Sequence, residues 1–478
     1  MTRASPNEKP SYQFLAKIQS GEKVFENVLV KTFLPQRMTD PLKLVLCPSK
    51  EQSFALERLF EFSLAAEVRG FGGKVEGAFK AQRIYSDGST TTTWGLDLQE
   101  TQIRATPYDF EKRDIGEFSD IPKGEVSGRF WLTPCQLLSP QKYVERSYTG
   151  EVKVTTIKQL QFVLNNKLLL NFDFVYRHFN EQNGDRVTFS ELVANFKDND
   201  LIGSTPKIQE ICLDALDDFL LLTSFAARHR CICLGWEAFD SNNCVTFYRK
   251  GFTIPTPQSN ANISDTLVDK AHFENFIKKA YDKFIQIEPK NFMRQALYAV
   301  TAEGRTRELK FFRLFSALET LILKHRRDTS SEFIFSPEDW KHIEKELSKA
   351  IKAIPAFYKD KAKRRNTYEN LSGLNRISFR AAYMDFCKYY QVKLDDLWPV
   401  SSVKDMTPLT EIRNRLVHGV PFDNNQLQIL SNATQHLEWI LERMILTMLG
   451  WSIENSSVSP CRLHNMTSYL NWRGSILD

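Results

Sequence analysis

The chain has 478 residues, a net charge of +5 and 42% hydrophobic residues, which predicts two or three folded domains. No apolar run approaches the roughly 18 uncharged residues of a membrane-spanning helix, so we expect neither a span nor a membrane partner. The first residues are polar, so we expect no secretory signal. Eight scattered cysteines are too few for a disulfide scaffold. We therefore expect a cytoplasmic protein.

The first half of the chain is dense in segments rich in β-branched and aromatic residues. They predict strands at 25–34, 42–48, 74–85, 90–99, 124–133, 151–164, 168–179 and 186–196. Asp87–Gly88 and Asn183–Gly184 lie between neighbouring segments, and such dipeptides favour hairpin turns. Residues 53–66 fit either a strand or a short helix. Strands this dense predict an antiparallel sandwich or a barrel-like domain.

A helix and a linker follow the strands. Apolar residues at helical spacing predict a helix near 206–228. After a further predicted hairpin, residues 254–264 are rich in Pro, Asn and Ser and are typical of a linker. The predicted domains are therefore a β-rich domain at 1–253 and a second domain at 265–478.

The second domain has the 3.6-residue period of helices. They are predicted at 265–287, 290–302, 306–326, 336–356, 376–391, 407–418 and 424–449. Residues 265–478 hold 32 Lys and Arg against 26 Asp and Glu, so the excess positive charge lies here. The predicted fold class is α+β multidomain, a mainly antiparallel β domain followed by an all-α helical bundle.

The predicted helix at 407–418 carries the candidate catalytic residues. Thr407 can cap it, Pro408 suits its first position, and Gly419 is a natural residue just past its end. Its predicted buried stripe is Leu409, Ile412 and Leu416. Of the eight histidines, only His418 has an arginine, Arg413, five residues before it.

The run EIRNRLVHG resembles the Arg–polar–x–x–x–His signature of HEPN domains, and RELKFFRLFSALETLI is similar to the neighbouring helix of the ApeA-like branch. That branch belongs to bacterial anti-phage abortive-infection systems. The resemblance covers about the last 215 residues well and the first 260 weakly. It implies a HEPN bundle that cuts RNA without a metal or cofactor and works as a homodimer or higher oligomer. The N-terminal domain is then expected either to sense a trigger, a phage protein or nucleic acid, or to restrain the helical domain until a phage signal arrives.

The residue types of the motif fit RNA cleavage. The 2′-hydroxyl of RNA can attack the neighbouring phosphate if a base removes its proton, which a histidine such as His418 can do at neutral pH. Arg413 can stabilise charge on the phosphate oxygens, and Asn414 can position the phosphate or the imidazole. The expected products carry a 2′,3′-cyclic phosphate and a 5′-hydroxyl, and the RNA can be transfer, ribosomal or messenger RNA.

Helix geometry leaves one problem open. At about 100° per residue, Asn414 and His418 share a face, but Arg413 lies roughly 140° from His418. Three arrangements can reconcile them: the helix unwinds before Gly419, the long arginine reaches round, or the pair acts across a dimer interface. The structural alternative is that Arg413 pairs with Glu319 and that His418 only favours the helix dipole.

Further basic residues are candidates for RNA binding. Lys361, Lys363, Arg364 and Arg365 form a basic run in a predicted loop, where a solvated surface is the competing interpretation. Arg326 and Arg327 end a predicted helix, where positive charge is favourable in any case.

The remaining candidates are interpreted as core residues. His229, Cys231, Cys233 and Cys244 lack the paired spacing of zinc sites, so packing is favoured and no metal is expected. Trp94, Trp131 and Trp236 are predicted core residues of the β region.

Three functions remain open on the sequence. The first is a HEPN endoribonuclease in anti-phage defence. The second is a scaffold whose HEPN-like bundle only dimerises or binds nucleotide or RNA. The third is a partner of a separate nucleotidyltransferase, and no transferase motif is visible in this chain.

Overall fold

The computed structural model describes most of the chain, in two compact units. The described residues are 10–35, 38, 40–59, 61–69, 75–94, 98–116, 126–146, 152–164, 168–180, 186–198, 212–249, 266–287, 289–302, 306–355, 361–401, 406–423, 426–466 and 469. The first unit is Met1–Thr223 with Arg230–Ile263, and the second is Ser224–His229 with Ser264–Asp478. The predicted linker at 254–264 lies outside the described residues.

The first unit is an antiparallel β structure. Its strands are β1 (Tyr12–Ser20), β2 (Lys23–Phe33), β3 (Lys43–Cys47), β4 (Glu61–Arg69), β5 (Val75–Trp94), β6 (Leu98–Ile115), β7 (Val126–Leu132), β8 (Gln141–Arg146), β9 (Val152–Lys158), β10 (Gln161–Leu164), β11 (Leu168–Asn180), β12 (Arg186–Asp198), β13 (Cys233–Phe239) and β14 (Asn243–Arg249). Helix α1 (Lys50–Leu56) precedes β4, so residues 53–66 form part of a helix and then a strand. Helix α2 (Leu213–Ala227) lies in the region where a helix is predicted.

In the described part of the first unit, twelve strands form one sheet, and six of them close into a ring. The sheet order runs β10, β11, β12, β7, β13, β14, β6, β3, β2, β1, β4 and β5. Because β5 also pairs with β6, the strands from β6 to β5 form a closed ring, as the barrel-like alternative predicts. Alternate residues of β1, namely Phe14, Ala16 and Ile18, are buried in the core of this unit.

The hairpin predicted at Asp87–Gly88 is wrong. β5 runs without interruption through both residues from Val75 to Trp94 and pairs with β6 along its length. The pairing register shifts between Ser86 and Gly88, which marks an irregularity of the β-bulge kind. An Asp–Gly pair suits a bulge as well as a turn, because glycine tolerates the unusual backbone that either requires.

The second predicted hairpin agrees with the structure, and three of the cysteines predicted to pack in the core are buried. Asn180 pairs with Arg186 across the hairpin that contains Asn183–Gly184, although the turn itself lies outside the described residues. Cys231, Cys233 and Cys244 are buried, and burial raises the pKa of the Cys233 and Cys244 thiols to about 11. Cys233 lies opposite Leu132, whereas Cys244 lies opposite Phe239 at the other end of the β13–β14 pair.

The predicted core tryptophans of the β region are buried where the structure describes them. Trp131 is 2% exposed and Trp236 is 1% exposed. The side chain of Trp94 lies outside the described residues.

The second unit is helical. Its helices are α3 (Lys270–Gln286), α4 (Lys290–Thr301), α5 (Arg307–Asp328), α6 (Pro337–Ala353), α7 (Lys361–Leu371), α8 (Phe379–Tyr390), α9 (Leu409–Val417), α10 (Gln426–Met448) and α11 (Pro460–Leu463). Each of the seven helices predicted from the 3.6-residue period is present, with ends shifted by a few residues. Among the described residues, no helix has the length and hydrophobicity that crossing a membrane requires.

The loop predicted around the basic run is wrong, because residues from Lys361 begin helix α7. The helix is strongly polar, so it has no apolar stripe that sequence periodicity could detect. An ion pair one turn apart, between Arg365 and Glu369 at 2.8 Å, favours the helix locally.

The core of the second unit forms between α5 and α10. On α5 the buried residues include Phe311, Phe315, Leu318 and Ile322, the predicted stripe. On α10 they include Leu430, Ala433, Leu437, Ile440, Leu441 and Met444. Helix α9, which carries the candidate motif, packs against this core through Leu409 and Ile412, both 0% exposed.

Candidate active site

The motif helix α9 begins at Leu409, one residue later than its sequence predicts. Pro408, rather than Thr407, is the N-cap. The backbone N–H groups of Leu409 and Thr410 instead donate to the carbonyl oxygens of Pro399 and Val400, each at 3.0 Å. Neighbouring main chain therefore satisfies the free N–H groups of the first turn, so no side-chain cap is required.

The segment that holds the start of α9 is itself anchored in the core. Trp398, 1% exposed, donates from its indole nitrogen to the Thr407 carbonyl at 2.8 Å, and its backbone N–H donates to His436 Nδ1 at 3.2 Å. Buried Arg443 forms a two-point ion pair with Asp396, at 2.6 and 2.7 Å. These contacts fix residues 396–400 against α10 and so fix where the motif helix begins.

The other end of α9 places His418 at the surface. His418 is the C-cap and is exposed, and its backbone N–H still donates to the Asn414 carbonyl at 3.0 Å. Gly419 has the left-handed φ of +69° predicted for the residue past the helix end. The N–H groups of Gly419 and Val420 donate to Leu416 and Arg415, which is the hydrogen-bond pattern of a Schellman end. The helix therefore does not unwind before Gly419.

Arg413 reaches round the helix towards the polar face. Its guanidinium Nη1 donates to Asn414 Oδ1 at 3.2 Å, and Nη2 lies 3.2 Å from Glu319 Oε1 on α5. Its Nε is buried, with no hydrogen-bond partner among the described atoms. These contacts place the guanidinium beside Asn414, which shares a helix face with His418, and against Glu319, the partner that the structural alternative predicts.

The three motif residues differ in exposure, and the difference fits separate roles. Asn414 and His418 are exposed, whereas Arg413 is half-buried between α9 and α5. Asn414 lies one helical turn before His418, on the same face. The Asn414 side chain therefore connects the guanidinium of Arg413 with the face that presents His418.

The arrangement offers a base and a fixed cation next to solvent. The His418 imidazole is accessible to a hydroxyl group, and the Arg413 guanidinium carries several donors at a fixed position. The Glu319 carboxylate, already in contact with that guanidinium, is a third charged group at the site. Sequence reasoning included this carboxylate only as a structural partner of Arg413.

The other basic candidates lie on different parts of the helical unit. Arg326 and Arg327 are on α5, seven and eight residues after Glu319, which is about 11 Å along the helix. Arg326 is half-buried and donates to the Glu332 carbonyl at 2.9 Å, and the exposed Arg327 lies over the Phe292 ring at 5.6 Å. These contacts give both arginines a local structural role.

The basic run lies on α7 rather than on the motif helix. Lys363 and Arg365 are exposed and Arg364 is half-buried, while the side chain of Lys361 lies outside the described residues. Arg365 is partnered by Glu369. The run is therefore the polar surface of a helix.

Sequence reasoning missed one aromatic residue beside the motif. Phe422 lies under the guanidinium of Arg415, whose carbon is 5.4 Å from the ring centroid. The chain reversal at Gly419 brings the two together, because Val420 bonds back to Arg415. An aromatic residue shortly after a glycine-terminated helix was the signal available in the sequence.

The chain matches no family model, no curated protein and no solved structure. The function proposed below therefore depends on the residues of the site and on the sequence motif.

Proposed function

We propose that the helical unit is a HEPN-type bundle and that the protein is a metal-independent endoribonuclease of anti-phage defence. The observation that carries the proposal is the reach of Arg413 to Asn414, one turn from an exposed His418 on the same helix. The arginine thus brings a cation towards the helix face that carries the general base. The motif requires the two groups to be close together, and ideal helix geometry alone does not provide this.

In the proposed reaction, His418 removes the proton of the ribose 2′-hydroxyl. The 2′-oxygen then attacks the adjacent phosphorus, the bond to the 5′-oxygen of the next nucleotide breaks, and that oxygen takes up a proton. A 2′,3′-cyclic phosphate and a 5′-hydroxyl result. General base catalysis of this kind contributes roughly 10²- to 10⁴-fold.

In this proposal, Arg413 and Asn414 bind the phosphate and stabilise its charge. Negative charge grows on the non-bridging oxygens as the phosphorus becomes five-coordinate, and a guanidinium held in place can donate to them at no further cost of reorganisation. Asn414 holds Arg413 through its Oδ1 at 3.2 Å and leaves its amide NH₂ for a phosphate oxygen or the imidazole. Removal of such a donor typically lowers the rate by about 10²- to 10³-fold.

Two further parts of the proposal concern partners. We propose that two copies pair through their helical units, so that two motifs line one RNA cleft. The β-rich unit then senses a phage protein or nucleic acid and controls cleavage, which stops translation. Lys363, Arg364, Arg365, Arg326 and Arg327 remain proposed contacts for the RNA backbone.

A second candidate function has its own supporting observation. The Arg413–Glu319 ion pair joins α9 to α5, which is what an arginine with a purely structural role would do. In that case the protein is a non-catalytic scaffold that dimerises or binds RNA or nucleotide without cutting it.

Single-stranded RNA oligonucleotides in EDTA separate the two functions. The nuclease cleaves ordinary RNA and leaves the same sequence intact when every 2′-hydroxyl is methylated, because the attacking group is then blocked. The scaffold cuts neither oligonucleotide, whether or not it binds them. Cleavage of the methylated strand would rule out attack by the 2′-hydroxyl.

A further inference from the structure

The end of the motif helix carries an arginine over an aromatic ring, close in the chain to His418. The guanidinium carbon of Arg415 lies 5.4 Å from the centroid of the Phe422 ring, and both residues are half-buried. The chain reaches this position by a reversal at Gly419, where φ is +69° and Val420 donates to the Arg415 carbonyl at 3.0 Å.

The position of Arg415 on the helix relates the pair to the base. Arg415 precedes His418 by three residues and therefore lies about 60° from it around the helix axis, whereas Asn414 lies about 40° away on the other side. His418 thus stands between Asn414, which contacts Arg413, and the Arg415–Phe422 pair. A phosphate held on the Asn414 side and a hydroxyl at His418 would direct the attached base to the opposite side.

We propose that Arg415 and Phe422 form a stacking subsite for the nucleobase whose ribose supplies the attacking 2′-hydroxyl. Aromatic rings and guanidinium planes are the surfaces on which proteins stack single-stranded bases. Val420, which is 42% exposed and donates its backbone N–H to the Arg415 carbonyl, adds apolar surface at the same end of the helix. Stacking accepts any base, so the substrate class is single-stranded RNA with an unpaired nucleotide at the cut.

The inference rests on the proposed function, so its test includes a measurement that needs no cleavage. The His418→Ala protein is titrated into RNA that carries the fluorescent base 2-aminopurine at a single position, because stacking on an aromatic ring quenches its emission. We expect the 2-aminopurine emission to be quenched by the His418→Ala protein, and also when Phe422→Tyr, which keeps the ring, is added to it. Phe422→Leu in the same background should lose it.

Cleavage provides the second measurement. The full-length protein is assayed on an oligonucleotide with one mapped cut, either complete or lacking the base at that nucleotide. Loss of one stacked base should lower kcat/KM by roughly tenfold or more for the wild type and for Phe422→Tyr. Phe422→Leu should cut both substrates equally.

Phe333→Leu is the matched control, because Phe333 is 50% exposed and follows helix α5 rather than the motif. It should behave as the wild type in both measurements. Quenching that survives Phe422→Leu, or an unchanged preference for the complete substrate, would overturn the subsite. Quenching without any cleavage by the wild type would instead count against the nuclease and leave Arg415 and Phe422 as a base-stacking surface of an RNA-binding protein.

Discussion

The Arg413 guanidinium lies 3.2 Å from the Glu319 carboxylate, so the candidate catalytic cation is held by a side chain from the neighbouring helix. Arg413 and Glu319 are 32% and 40% exposed, and an ion pair in that environment contributes at most about 1 kcal/mol to stability. Its larger effect is on orientation, since it fixes the guanidinium whose other end reaches Asn414.

Glu319→Ala should therefore lower activity far more than stability. A misplaced guanidinium lowers kcat by roughly tenfold to a hundredfold, while the free energy of unfolding changes by less than about 1 kcal/mol. Glu319→Gln keeps an oxygen acceptor and removes a negative charge near the RNA phosphate. It should keep kcat and lower KM, which steady-state kinetics can separate.

Glu346 provides the control, because it forms a comparable exposed pair with Lys349 at 2.6 Å on α6. Glu346→Ala and Glu346→Gln should leave both kinetic constants unchanged. A proportional loss of activity and stability in Glu319→Ala would mean that Glu319 only supports the fold.

Gly419→Ala should strain the end of the motif helix. The added Cβ meets open space, so the effect comes from the φ of +69° alone, which costs an L-residue about 1–2 kcal/mol. Because His418 immediately precedes this turn, kcat should also fall several-fold. Chemical denaturation and initial rates measure the two effects.

Gly373→Ala is the matched substitution, since its Cβ also meets open space and its backbone is not left-handed. It should be nearly neutral in both measurements. Equal effects of the two substitutions would show that the left-handed turn is not required to present His418.

Asp396 should make the helical unit sensitive to acid. Burial would raise its pKa, but the hydrogen bonds and charge of Arg443 outweigh burial, and the pKa is lowered. The resulting stability is present above the unfolded pKa of about 3.9 and is lost as the pH falls through the lower folded value. Asp396→Asn should lose about 3 kcal/mol at pH 7, because it leaves Arg443 buried and unpaired.

The loss should shrink as the pH falls below about 4, because Asp396 takes up a proton first in the unfolded wild type and, at lower pH, in the folded protein. Urea unfolding between pH 7 and pH 3 measures it. Asp269→Asn is the surface control, since its partner Arg462 is 45% exposed, and it should lose less than about 1 kcal/mol. A deficit of Asp396→Asn that stays constant across this range would contradict the role of the Asp396 charge.

The helical unit was largely predictable because its helices bury one face. Residues such as Phe311, Phe315, Leu318 and Ile322 repeat at helical spacing because α5 packs on a core along one side. Helix α7 has no such face, so periodicity could not reveal it. The prediction of a hairpin at Asp87–Gly88 was wrong for a related reason. The local backbone preference of this pair fits both a hairpin turn and the bulge within β5.

The residue types of the candidate site and the pairing of Arg413 with Glu319 were predictable, but the contacts that fix the start of the helix were not. The spacing of Arg413 and His418 is a local property of the chain, and so is the glycine that ends the helix. The carbonyls of Pro399 and Val400, which accept from the first turn of the motif helix, come from a segment fixed by buried Arg443. Whether the arginine would reach Asn414 depended on where α5 places Glu319, which is a tertiary relationship.

The most direct test incubates the wild type and His418→Ala with total bacterial RNA in EDTA, with and without extract from phage-infected cells, and maps the new RNA ends. We predict that the wild type alone produces new ends, each with a 2′,3′-cyclic phosphate on one side and a 5′-hydroxyl on the other. Equal cleavage by His418→Ala, or no cleavage by the wild type even with infected-cell extract, would contradict the nuclease and favour the scaffold.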